Sequence, residues 1–167
     1  MSALKQYIND RVTTSDPNPS NLKVLYWAID QLGYDWGSTH TASLPGMLSI
    51  SAPDQCNYFV GSAYAYGAGA THWPTGWRAL SHWFKPYAAD ANTLASRGGV
   101  EHTKIVGLPE PGDIVSFHKP GNDSGHTSLF LGGNLIIYAG GFGIGKIGTV
   151  EDNSADHDGI VNRKYVP

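Results

Sequence analysis

The sequence predicts an α+β domain in which helices come first and a sheet of antiparallel strands follows. Three observations carry that expectation. In the first seventy positions apolar residues recur at steps of three and four, the spacing of one helix face. The last third alternates strand-like runs with turn residues, as in PEPGDIVSFHKPGNDSGHTSLFLGGNLIIYAGGFG. A length of 167 residues with 41% hydrophobic content is enough for one core and argues against disorder. A single domain over 1–167 is therefore expected, with a helical scaffold and loop in 1–50, further helices in 51–99 and the sheet in 100–167.

Taken in order, Leu4, Tyr7, Ile8 and Val12 give a short amphipathic helix, which the loop TTSDPNPSN ends. Ser20 is placed to cap a second helix. Leu22, Leu25, Ile29 and Leu32 form its apolar stripe, Val24 and Trp27 widen it, and Gly33 closes it. The stretch GYDWGSTHTASLPG has little periodicity, and its Tyr34, Trp36 and His40 are expected to cover the core edge. A third helix opens at Pro53, a good first-turn residue, with Asp54 able to cap the amides that follow. Its Tyr58, Phe59, Val60, Ala63 and Tyr64 make one face for burial against a sheet.

Next, THWPTGWRALSHWFKPY gathers Trp73, Trp77, Trp83, Phe84 and Tyr87. The spacing of Trp77, Leu80 and Phe84 points to a buried helix face, although flat rings also suit stacking on sugars. AADANTLASRGG reads as a short helix closed by Gly98 and Gly99, and VEHTKIV as a strand. Asp113 to Phe117 is a strand after the Pro111-Gly112 stop, and HTSLFLG and NLIIYAG form a hairpin about a Gly-Gly turn. The glycines of GGFGIGKIG read as hairpin and loop residues, and EDNSADHDG as a solvated acidic loop.

The chemistry centres on Cys56, the one cysteine of the chain, at the start of the third helix. A thiol there lies near the positive end of the helix dipole, which favours the thiolate. A lone cysteine is more often a small core residue, so a base must also be found. His126 meets that need: it opens a strand after a glycine loop, where its imidazole can accept the thiol proton and later protonate a leaving amine. Asp113 reads as structural, an acid that ties down the turn before its strand.

These residues carry a resemblance. DQCNYFVGSAYAYG resembles the nucleophile helix of NlpC-like cell-wall peptidases and their CHAP amidase relatives, PEPGDIVSF resembles their Pro-Gly-Asp strand, and SGHTSLFLGG their Gly-His strand, all in the family's order. The resemblance implies a papain-like core whose nucleophile helix packs on a small antiparallel sheet, with Cys56 as nucleophile and His126 as base, cleaving amides in peptidoglycan stem peptides. Where the family places a polar residue to orient the imidazole, this chain has Tyr138. A phenol cannot supply the charge that stabilises an imidazolium, so Asn134, Asp156 and Asp158 are rival orienters, unless the site is a dyad. Backbone amides at the helix start, with Gln55, are the expected oxyanion hole. The Cys-Asn-x-Phe-Val form also resembles antibacterial amidase effectors exported by type VI secretion, which implies delivery to a rival periplasm and an immunity protein that occludes the Cys56 cleft. A phage endolysin and a wall-binding module without catalysis are the alternatives.

Other classes find little support. A net charge of -3 and pI near 6.1 give no basic surface for nucleic acid. No stretch approaches a membrane span, and MSALKQYINDRV lacks the pattern of a secretory leader, so a cytoplasmic origin with specialised export is expected. Ser154, Asp156, Asp158 and Gly159 imitate a calcium loop only in part, without the closing Glu, and zinc-type spacings are absent. No metal and no cofactor are expected.

Overall fold

A computed structural model describes residues 2–12, 19–34, 41–42, 50–51, 55–70, 103–118, 125–139, 145–155 and 159–166. The Trp-rich span, the AADANTLASRGG helix, Pro53, Asp54, Asp156 and Asp158 lie outside these residues.

Helix α1 spans Ala3–Val12 and α2 spans Pro19–Asp30. Helix α2 starts one residue before Ser20, because proline's fixed φ suits a first turn; Ser20 is therefore inside the helix and not its cap. Val24, Leu25, Ala28 and Ile29 are buried, whereas Leu32 falls in the turn beyond the helix and is exposed. Gly33 closes this segment with φ of 78°, and its N–H donates to Gly145 O at 2.8 Å. Helix α3, Gln55–Ser62, continues as a π-helical stretch over Ala63–Gly67. Gly67 lets the two helices cross closely, since a Cβ there would stand 2.7 Å from Lys23 O.

Strands β1 (Thr41–Ala42) and β2 (Ile50–Ser51) form a small antiparallel pair. The main sheet contains β3 (Thr103–Val106), β4 (Ile114–His118), β5 (Gly125–Gly132), β6 (Leu135–Ala139), β7 (Gly145–Thr149) and β8 (Gly159–Tyr165). Its order is β3-β8-β4-β5-β6-β7, every pairing antiparallel. Two expectations change here. Gly145 and Gly148 belong to a strand rather than a loop, and 151–154 of the acidic segment join Val150 in a short helix, α4 (Val150–Ser154). Thr149 caps it by accepting from Asp152 N at 3.0 Å, so residues that read as a solvated loop acquire a helix start.

Alternation in the central strands divides the core in two. Ile114, Leu129, Leu131, Ile137 and Ala139 face the helices and pack with Phe59, Val60, Ala63 and Tyr64 of the α3 segment and with Val24 and Leu25 of α2. Val115, Phe117, Phe130, Ile136 and Tyr138 face the other way, joined by Val150 of α4. Both faces of the sheet are therefore apolar, which explains why β4 and β6 read as nearly continuous hydrophobic runs.

The Pro-Gly-Asp turn ties the helices to the sheet by hydrogen bonds. Gly112 has φ of 92°, and a Cβ there would lie 2.6 Å from Asn21 Cβ, so α2 sits directly on this turn. Asn21 Nδ2 donates to Pro111 O at 3.2 Å, and Tyr64 donates its hydroxyl to Gly112 O. Asp113 Oδ2 accepts from Glu110 N at 2.9 Å and closes the turn, the role its position in the sequence suggests.

Candidate active site

Cys56 is the second residue of α3 and is half-buried. The helix packs on β5 and β6. Its late part is pinned at Gly112, whose N–H donates to Phe130 O near the far end of β5. Cys56 stands eight positions before Tyr64, about 12 Å of helix away from that anchor. Amides of a first helical turn lack intrahelical acceptors, so this end presents N–H donors and the positive end of the dipole.

His126 is the second residue of β5 and pairs with Phe117 of β4. Its ring is half-buried, with Nε2 out of contact with water. The strand period puts it on the Phe117, Phe130 and Tyr138 face, opposite the apolar face of α3, near the leading end of the strand. That end is polar on the helix side as well: Ser116 Oγ and Thr127 Oγ1 are buried and 3.2 Å apart.

The structure brings His126 and Tyr138 together. Their ring centroids are 4.6 Å apart with planes at 80°, an edge contact, and Phe117 stacks on the imidazole at 6.0 Å. Tyr138 approaches His126 with its ring and not its hydroxyl. The phenol oxygen is turned to β7, where it lies 2.9 Å from the Cβ position of Gly148 and accepts from Asn153 Nδ2 at 3.4 Å. Lys146 Nζ sits 5.4 Å from the Tyr138 ring centre.

Asn134 is not an orienter of His126. It lies in the turn joining β5 to β6, at the opposite end of the hairpin, and its carbonyl accepts from Val150 N at 2.9 Å. Asn153 is the polar residue beside Tyr138 that the sequence reading passed over; it sits in the same acidic segment as Asp156 and Asp158, but only the helix formed by 150–154 turns it toward the phenol.

Two buried titratable groups with shifted values, Asp113 and Tyr64, lie at the Pro-Gly-Asp turn. Asp113 is 1% exposed, and burial pushes its carboxyl above the ordinary range, opposed by the Glu110 N–H and the Lys164 charge. Tyr64 is held well above the usual phenol value, chiefly by burial and then by the Asp113 charge. Asp113 donates its N–H to Glu110 O at 2.9 Å and its carbonyl accepts from Phe130 N at 2.8 Å, four residues before Phe117, the partner of His126. Among the described residues no group of three or more His, Cys, Asp or Glu is disposed to hold a metal, and no helix is long and apolar enough to cross a membrane.

A scan against protein-family models finds no match, and a search of the curated proteins finds none. Solved structures do resemble the chain. The P60 domain of an antigen from M. avium subspecies paratuberculosis superposes with a TM-score of 0.50 at 17% identity, covering 86% of this chain and 93% of that one. The peptidoglycan hydrolase RipB from Mycobacterium tuberculosis superposes with a TM-score of 0.52 at 21% identity, covering 89% of this chain and 66% of that one. At these identities the likeness is one of fold: the chain has the NlpC/P60-type, papain-like α+β architecture.

Proposed function

We propose that this NlpC/P60-type fold is a peptidoglycan amidase or endopeptidase that hydrolyses a stem-peptide amide, with Cys56 as nucleophile and His126 as general base and then acid. The observation that carries the reading is the lone cysteine in the first turn of a helix packed on the strand that His126 opens. The likeness to RipB, a peptidoglycan hydrolase, supports the wall as the substrate.

In this mechanism His126 takes the Cys56 proton, and the thiolate adds to the amide carbon. The carbonyl oxygen becomes an oxyanion facing the first-turn amides of α3, with Gln55 at that turn. The imidazolium protonates the nitrogen as the C–N bond breaks, leaving a thioester and a free amine. His126 then deprotonates a water that attacks the thioester, and its proton returns to the sulfur as the carboxylate leaves. The helix dipole favours the thiolate form throughout.

The test is mass spectrometry of purified sacculi incubated with wild type, Cys56→Ala and His126→Ala. Stem-peptide fragments from wild type alone are expected, and their masses identify the bond cut. Binding to sacculi that persists in all three proteins without any fragment would overturn the hydrolase in favour of a wall-binding module.

The same reading extends to an antibacterial effector made in the cytoplasm and exported to a rival's periplasm, with a cognate immunity protein occluding the Cys56 cleft in the producer. It is supported by the Cys-Asn-x-Phe-Val form of α3, which resembles effectors of that kind.

A further inference from the structure

We propose that Asn153 is a positioning residue for His126 and acts through Tyr138. Its consequence for catalysis rests on the thiol hydrolase reading above, while the packing stands independently of it.

Tyr138 touches the imidazole with its ring, so what fixes the ring fixes the imidazole. The phenol is held at its far end. Gly148 leaves room for the hydroxyl: a side chain there would start 2.9 Å from the phenol oxygen and 3.1 Å from Cε1. Asn153 Nδ2 donates to that oxygen at 3.4 Å and to Thr149 O at 2.9 Å. Asn153 is itself placed by two anchors of α4, the Thr149 cap on Asp152 N and the Val150 N bond to Asn134 O. Lys146 lies beside the ring from β7. His126 is thus flanked by Phe117 of β4 and by a Tyr138 ring whose own oxygen is tethered.

An imidazole turns about two torsions, and packing against two rings narrows both. A hydrogen-bonding third residue orients a catalytic histidine directly; here the oxygen points away from His126, and the hydrogen bond acts one residue further out. Asn153 supplies the tether, Tyr138 transmits it as a rigid ring, and Gly148 gives it room.

The experiment reads the imidazole without any substrate. In 15N-labelled protein at one pH, the His126 ring signals are assigned with His126→Gln. Wild type is expected to show a single ring state with cross-relaxation to Tyr138 and Phe117. Asn153→Leu, of similar volume but without a donor, is expected to at least halve the Tyr138 cross-peaks and broaden the His126 signals. Tyr138→Phe removes only the acceptor and is expected to do the same, and adding Asn153→Leu to it should change nothing more. Unchanged His126 signals in either single variant with a native amide spectrum, or additive changes in the double variant, would overturn the proposal. If Asn153→Leu does not fold, Tyr138→Phe decides alone. On sacculi the same variants are expected to lose ten- to hundredfold in kcat with little change in KM. Wild type that cuts nothing would remove the hydrolase reading and leave the ring result to stand or fall separately.

Discussion

At the scale of the residue, the Pro-Gly-Asp turn shows how single side chains decide stability. Gly112 combines a φ of 92° with an approach to Asn21 that leaves no room for a methyl group. Gly112→Ala is expected to destabilise by at least about 2 kcal/mol, read as a lowered urea midpoint. Asp113 makes an opposite prediction. Burial raises its carboxyl value in the folded state, so between the ordinary range near pH 4 and the raised value the native state holds a proton that the unfolded chain has lost, and stability falls as pH rises through that interval. Asp113→Asn keeps an oxygen for Glu110 N and has no such slope, so its urea midpoint relative to wild type is expected to climb with pH; a constant difference from pH 4 upward would contradict this. Both residues were legible as turn residues, because Pro, Gly and Asp act on their own backbone. The presence of Asn21 beneath them was not, since it arrives from ninety positions earlier.

At the scale of the element, α4 is the instructive case. Only 150–154 are helical, too short to persist alone, and the helix exists because Thr149 caps it and β7 presents it. Thr149→Ala is expected to cost about 1 kcal/mol in a denaturant titration, and to broaden the His126 signals by releasing Asn153. Helix α3 is the reverse. Its apolar period and its lone cysteine stand in the local sequence, and Phe59, Val60, Ala63 and Tyr64 are all buried. The third candidate of the site was half legible: Tyr138 lies at the position the motif order indicates and does touch His126, yet the direction of its hydroxyl depends on Gly148 and Asn153, ten and fifteen residues on.

At the scale of the whole molecule, helices on one face and α4 on the other cover a sheet whose middle strands carry both the apolar core and the His126 cluster. If the domain cuts stem peptides, its toxicity depends on compartment: expression directed to the periplasm is expected to lyse cells and cytoplasmic expression to be tolerated, with Cys56→Ala harmless in both. Equal tolerance of wild type in both compartments would contradict it. The sequence by itself determined the first two helices, the helix that carries Cys56 and the strands around Ile114, His126 and Tyr138, and that a thiol opens a helix and an imidazole opens a strand, because hydrophobic period and turn residues act over a few positions. It did not contain in any local form the placing of β8 between β3 and β4, where Arg163 stands opposite both Ile105 and Ile114, nor the turning of the Tyr138 oxygen toward Asn153. Only the tertiary structure decided these, because strand order and side-chain direction are set by hydrogen bonds and close packing between segments far apart in the chain.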